Sequence, residues 1–173
     1  WQWYWLSQVP SLSKNSKTKP LTLFSVLLAR IAGPNGTNHG IELHESNVEL
    51  ARKAVRHYHE CHIADHTLLG PIKFVAGNVF DIDPVANMKY DKIYCGAGCS
   101  PSQVDFFKQL LDVNGQLLAP VTYPSGSALF RFTSRPYCLN PVFDSEKLID
   151  VKFVDLVPSS TPPSQAKLVL QSF

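Results

Sequence analysis

Hydrophobic positions along the chain alternate between helical and strand-like spacing. Residues 21–32 carry Leu23, Val26, Leu27 and Ile31 at helical intervals, and Gly33-Pro34-Asn35-Gly36 ends the pattern with turn chemistry. This predicts a helix that turns that stripe inward. Residues 38–43 form a short apolar strand, and Ser46 follows as the expected cap of a helix running to about residue 59, with Glu49 completing a capping box. Val48, Ala51, Val55 and Tyr58 supply its apolar face. Residues 72–76 predict the next strand, after which Gly77-Asn78 turns into a loop where Pro84 blocks regular structure. The block "YDKIYCGAG" (90–98) predicts a buried parallel strand over 92–95 that enters a loop of small residues. Pro101 opens a helix through residue 111, with Val104, Phe107, Leu110 and Leu111 on one face and Asn114-Gly115 as its stop. Residues 116–121, 128–133 and 151–157 predict strands, the first two joined by the hairpin signal "TYPSGS". The sheet should therefore end antiparallel.

The two ends of the chain differ from this middle. Residues 1–20 combine an aromatic start, "WQWYWLSQV", with the polar, basic "PSLSKNSKTKP", whose composition predicts a flexible, solvated segment. Residues 2–9 could form a strand, but the linker that follows argues against fitting one into a sheet. Residues 159–173 read as a Pro/Ser-rich tail, and 166–173 are too few to fold alone. One domain is expected over 21–158. The start at Trp1 instead of methionine suggests a fragment or a processed product.

Composition narrows the function classes. Among 173 residues 45% are apolar, enough for a substantial core, and the net charge of +2 is dispersed, which excludes a nucleic-acid or anionic-lipid footprint. Residues 21–32 are too short to span a bilayer and lack the features of a signal peptide, so a cytoplasmic protein with no membrane partner is expected. The sequon Asn35-Gly36-Thr37 then reads as a turn. Cys61, Cys95, Cys99 and Cys138 are irregularly spaced in apolar settings and read as reduced thiols. Cys95 and Cys99, in "CGAGC", lack the spacing of a redox CxxC pair. "HYHECHIADH" places His57 four residues from Cys61 and His62 four from His66, but a frayed helix end supplies no convergent tetrahedral set, so no metal site is expected. No catalytic set can be assembled from spacing.

Glu42 is the residue with the clearest chemical content. A carboxylate at the C-terminal end of a strand in a Rossmann-like sheet can accept hydrogen bonds from both ribose hydroxyls of an adenosine cofactor. Glu42 also suits the start of a helix as a macrodipole-favoured acid, and Asn78 suits a turn. The blocks "NHGIELH", "FVAGNVF", "KYDKIYCGAG" and "LLDVNGQLLAPV" resemble, in order and spacing, the protein-L-isoaspartate O-methyltransferase family, closest to its methyltransferase-domain-containing branch, over about residues 24–160. The resemblance implies an α/β, Rossmann-like methyltransferase sheet with helices on both faces and a C-terminal antiparallel hairpin. It implies S-adenosylmethionine as cofactor and methylation of isoaspartyl carboxylates in damaged proteins. Glu42 would hold the ribose, Asn78 would stand for the family's aspartate near the adenine amino group, Val79 would offer its backbone N–H to the ring, and Ala97 with Gly98 would line the floor.

The family's first strand, glycine-rich turn and threonine-serine segment have no counterpart in "KNSKTKPLTLFSV". The domain is therefore expected to be incomplete, with weak cofactor binding and little activity, because only glycine lets backbone approach the methionine end of the cofactor. Two alternatives follow: a non-catalytic adaptor of the same fold that recruits ubiquitin-ligase components through a C-terminal segment, or a truncated product without function.

Overall fold

The computed structural model describes residues 2–7, 20–62, 69–85, 88–136 and 142–158, with the backbone alone for 2–7 and 20–23. Ten elements follow in chain order: β1 (Gln2–Ser7), α1 (Pro20–Ala32), β2 (Thr37–Glu42), α2 (Glu45–Cys61), β3 (Ile72–Ala76), β4 (Tyr90–Cys95), α3 (Pro101–Lys108), β5 (Leu111–Tyr123), β6 (Gly126–Arg135) and β7 (Val142–Asp150). The strands form one seven-stranded sheet in the order β3-β2-β1-β4-β5-β6-β7. The first five run parallel, β6 is antiparallel to β5, and β7 is antiparallel to β6. This is a Rossmann-like sheet that closes in an antiparallel meander.

The expectation of a missing first strand is overturned. Gln2–Ser7 lies in the central slot, with Trp5 opposite Gly40 of β2 on one side and Tyr94 of β4 on the other. Two parallel neighbours that each present a row of donors and acceptors need a partner between them, and an aromatic run has the β-propensity to supply it. The linker argument failed because β1 is complete at Ser7, before the polar stretch begins in the sequence. Residues 8–19 and 159–173 lie outside the described residues, and with them the expected flexible linker and tail.

Helices cover both faces. Tyr94 of β4 packs on Phe24 of α1, ring centroids 4.8 Å apart, and the cluster of Leu28, Val48, Ala51 and Phe74 joins α1, α2 and β3 on that side. The neighbouring residues Ile93 and Cys95 point the other way, into a larger cluster with Ile41, Val104, Phe107, Leu117 and Val121 beneath α3. The inward face of α1 is rotated from the expected one: Ser25, Val26, Leu28 and Ala29 are buried, whereas Leu27 and Ile31 are 48% and 69% exposed. A nearly continuous apolar run fits several stripes, and contact with α2 and Leu69 selects among them.

Other boundaries shifted for local reasons. Helix α2 starts at Glu45 with His44 at its cap position, and His44 makes no side-chain cap bond. Ser46 therefore lies within the first turn and forms no capping box. Helix α3 has the box instead, with Ser100 Oγ accepting from Gln103 N and Ser100 N donating to Gln103 Oε1. It stops at Lys108, and Asn114-Gly115 sits inside β5, where Asn114 has a φ of 61°. A Cβ on residue 115 would lie 2.8 Å from the carbonyl oxygens of Asp112 and Tyr90, so glycine is required there by close approach. Residues 151–157 are not a regular strand. The seventh strand is Val142–Asp150, an exposed edge held to β6 by ion pairs of Arg131 with Glu146 and Arg135 with Asp144.

Within the core, His39 of β2 is fully buried and shares a 2.9 Å hydrogen bond between Nδ1 and the Tyr90 hydroxyl. Burial, assisted by the Lys73 charge, lowers the His39 pKa to about 4 from 6.5. Burial raises that of Tyr90. Between pH 6.5 and 4 the unfolded chain binds a proton at this histidine that the folded chain refuses. Stability is thus complete above about pH 6.5 and falls by about 3 kcal/mol as pH drops through 4. Urea unfolding across this range should show that slope, and His39→Gln should flatten it. A separate test addresses β1. Trp5→Pro removes a backbone donor from a strand paired on both sides, and should lower stability by about 2 kcal/mol or more through orphaned partners. An unchanged urea midpoint would place Gln2–Ser7 outside the sheet.

Candidate functional site

The C-terminal edge of the parallel sheet collects the chemically distinctive residues. The chain leaves β1 for β2 and β3 on one side, then returns to lay β4 on the other side of β1, so β1 and β4 flank the topological switch point where open α/β sheets bind ligands. Ser7, Glu42 and Ala76 end β1, β2 and β3 in register, and Cys95 ends β4 beside Leu6. Glu42, Asn78 with Val79, and Ala97 with Gly98 therefore all fall on this one edge, just as three strands finish.

Glu42 is 2% exposed, and its Oε1 accepts from the His44 backbone N–H at 3.2 Å. That contact is the helix-entry role, since it fixes the chain at the start of α2. A carboxylate has several acceptor positions and can bond more than one donor. The Glu42 carbonyl accepts from Gly77 N at 3.0 Å and so links the β2 and β3 ends.

Asn78 fulfils the turn role and adds a second. Its Oδ1 accepts from Phe80 N at 3.0 Å, capping a single 3₁₀ turn at Val79–Asp81. Its Nδ2 donates to the carbonyls of Val157 and Pro158, each at 3.3 Å. Val79 is fully buried in the main core cluster.

Ala97 and Gly98 are occupied by the protein itself. Ala97 is 1% exposed, and its carbonyl receives both Cys95 Sγ at 3.3 Å and Cys99 Sγ at 3.5 Å. Gly98 N donates to Val154 O and Leu156 N donates to Gly98 O, both at 2.8 Å. A Cβ at position 98 would meet Asp155 Oδ1 at 2.7 Å and Thr122 Oγ1 at 3.0 Å. This glycine is thus explained by an extended strap, residues 151–158, that crosses the edge from β6 and β5 to Asn78. Leu156 anchors the strap in the core, and Thr122 Oγ1 donates to Asp155 Oδ1 at 3.2 Å. The strap is the feature that sequence reading missed. The sequence "VKFVDLVP" predicts a strand there, and nothing local in it marks contacts with Gly98 and Asn78.

Among the described residues no three His, Cys, Asp or Glu side chains converge as metal ligands. His57 approaches Cys61, with Nε2 3.7 Å from Sγ, and Glu60, with Nδ1 3.8 Å from Oε2, while His62 stacks on Tyr58. His66 lies outside the described residues. None of the described helices is long and apolar enough to cross a membrane.

No protein-family model matches the chain. Among solved structures, a protein-L-isoaspartate O-methyltransferase matches over 91% of this chain and 42% of its own, with a TM-score of 0.65 and 15% identity. A Plasmodium falciparum protein assigned as a protein-L-isoaspartate O-methyltransferase, in complex with S-adenosyl-L-homocysteine, matches over 71% of this chain and 53% of its own, with a TM-score of 0.57 and 20% identity. The chain thus spans about half the length of these two neighbours. It has the Rossmann-like fold of methyltransferases, with helices on both faces of the sheet.

The strap contact can be tested at Asn78. Replacing it with aspartate turns a donor into an anion facing two carbonyl oxygens, which should weaken strap docking by about 1 to 3 kcal/mol. Hydrogen exchange at the Gly98 and Leu156 amides should quicken, while amides in α2 should not respond.

Proposed function

We propose that this chain is an S-adenosylmethionine-binding domain of the protein-L-isoaspartate O-methyltransferase type that holds its cofactor weakly. The observation that carries this reading is the completed central strand, which sets the Glu42 carboxylate in register with Ser7 beside the switch point. The fold neighbours favour it over other nucleoside-binding sheets.

The fit to the cofactor is good at one end. Glu42 would take the ribose, and Asn78, whose Oδ1 accepts from Phe80 N, would stand at the adenine amino group. The Val79 backbone would face the ring edge. Ala97 and Gly98 would act from beneath through their backbone, since the strap already fills the space above Gly98. At the other end, residues 8–19 contain no glycine, so close backbone approach to the methionine part is not provided as in the family.

The cofactor, when bound, supplies an electrophilic methyl group on sulfur. The chain's own contribution would be to orient that group and exclude water, with an isoaspartyl carboxylate as the attacking acceptor. No side chain is assigned a proton-transfer step, because a carboxylate nucleophile needs none. A cytoplasmic setting fits this repair chemistry. The adaptor alternative depends on residues 166–173, which lie outside the described residues.

Isothermal titration calorimetry with S-adenosylmethionine tests the reading. The expected dissociation constant is weaker than about 1 µM, that is, less than about 8 kcal/mol of binding free energy. Glu42→Ala should weaken binding by a further 1.5 to 3 kcal/mol, roughly, with the fold intact by circular dichroism. Binding that is undiminished in Glu42→Ala would move the cofactor elsewhere. Submicromolar affinity would mean that residues 8–19 replace the glycine-rich turn.

A further inference from the structure

Cys95 and Cys99 form a buried thiol pair that neither the sheet nor the cofactor reading requires. Their sulfurs lie 3.4 Å apart, both residues are fully buried, and both sulfurs point at the Ala97 carbonyl. The backbone holds them in place from both sides. Cys95 is the last residue of β4 and pairs with Leu6, while Cys99 N donates to Pro120 O and Cys99 O accepts from Thr122 N, each at 2.8 Å. Gly98 between them is bridged to the strap. Spacing alone does not suggest such a pair, because residues four apart in a loop have no fixed separation. Here the end of β4 and the bridge to β5 set it.

We propose that Cys95 and Cys99 are a hydroperoxide-oxidisable dithiol that closes to an intramolecular disulfide across residues 96–98. A disulfide needs its sulfurs at about 2.05 Å, so the sulfurs must approach by about 1.4 Å. Two thiols merely filling a core would be indifferent to each other's direction. Convergence on one carbonyl, with both backbones pinned, gives the pair the high effective concentration that favours an intramolecular bond.

The chemistry balances with a hydroperoxide as the only added reactant. The hydrogen bond to Cys95, with burial, pushes the Cys99 thiol up, so Cys99 keeps its proton. Cys95 is the sulfur that attacks, and its proton passes to the departing oxygen. Its bond to oxygen forms as the O–O bond breaks, leaving a sulfenic acid on Cys95 and one water. Cys99 sulfur next attacks Cys95 sulfur; the S–S bond forms, the S–O bond breaks, and the departing hydroxide leaves as water with the Cys99 proton. Two thiols are oxidised and one hydrogen peroxide is reduced to two waters. The resulting link would lock the loop that carries Ala97 and Gly98. The inference is independent of methyl transfer.

Tryptic cleavage after Lys92 and Lys108 isolates a peptide, 93–108, that contains these two cysteines and no other. The full native chain is reduced, exposed to hydrogen peroxide, denatured, alkylated with iodoacetamide and analysed by mass spectrometry. The expected product is peptide 93–108 without alkyl groups and lighter by two hydrogens, restored to double alkylation by dithiothreitol. In Cys99→Ser the disulfide should vanish and Cys95 should instead be trapped by dimedone as a sulfenic acid. The proposal is overturned if peptide 93–108 of the wild-type chain stays doubly alkylated while the exposed Cys61 is consumed. It is equally overturned if Cys95 or Cys99 is found joined to Cys61 or Cys138.

Discussion

The two-sided backbone pairing of β1 is the constraint on which the rest of the molecule depends. Gln2–Ser7 is bonded to β2 along six residue pairs and to β4 along four. Without it, β2 and β4 would face each other across a gap of one strand, each with a buried row of peptide groups lacking partners. The helices would fail with it, because α1 packs against Tyr94 of β4 through Phe24 and against α2 and β3 through Leu28. The same pairing sets the ends of β1, β2 and β3 level at Ser7, Glu42 and Ala76, which turns an isolated acidic residue into part of a site.

That edge is shared between two demands. Under the proposed function a cofactor would need backbone at this edge, whereas the strap draws on the same groups: Gly98 gives it both its N–H and its carbonyl, and Asn78 gives it an amide. Asparagine suits both, because it accepts from Phe80 N on one atom and donates to the strap with the other. An aspartate could only accept. On the proposed reading Asn78 would meet the adenine amino group, and it also fastens residues 157 and 158 over the edge. Cys95 and Cys99 flank this arrangement: the strap bridges Gly98 between them, while Cys95 pairs with β1 and Cys99 with β5.

Much of this was legible in the chain. The parallel strands β2, β3 and β4, the amphipathic α2, the proline-started α3 and the hairpin at Tyr123 and Gly126 follow from periodicity and turn residues. Glu42 was found because a strand's last residue, read against the following helix, has a fixed place in an α/β sheet. The failures share a cause, which is that tertiary pairing overrode local composition. "WQWYWLS" looked foreign to the domain because it sits beside a polar stretch, yet the slot between β2 and β4 selects it. "VFDSEKLID" offered no apolar face because nearly all of β7 is exposed, and charge pairing with β6 replaces burial. The strap was invisible because its partners, Gly98 and Asn78, lie some 57 and 79 positions earlier in the chain.

Glycine usage bears on how far the cofactor reading extends. This chain places glycine where the backbone demands it: at positive φ in Gly33, Gly77 and Gly126, and at close approach in Gly70, Gly98 and Gly115. Each of those positions has a geometric reason that another residue could not meet without strain. Residues 8–19, which join β1 to α1 where the family has its glycine-rich turn, contain none. The physical requirement there is close approach of main-chain amides to a zwitterionic amino-acid end, and a Cβ on each residue keeps the backbone away. Lys14, Lys17 and Lys19 can offer charge but not that approach. Under the proposed function the adenosine half of the cofactor would meet residues suited to it, while the methionine half would have to be held by side chains that carry the entropy cost of being ordered. A domain so divided would distinguish adenosine from other nucleosides better than it would position a methyl group for transfer.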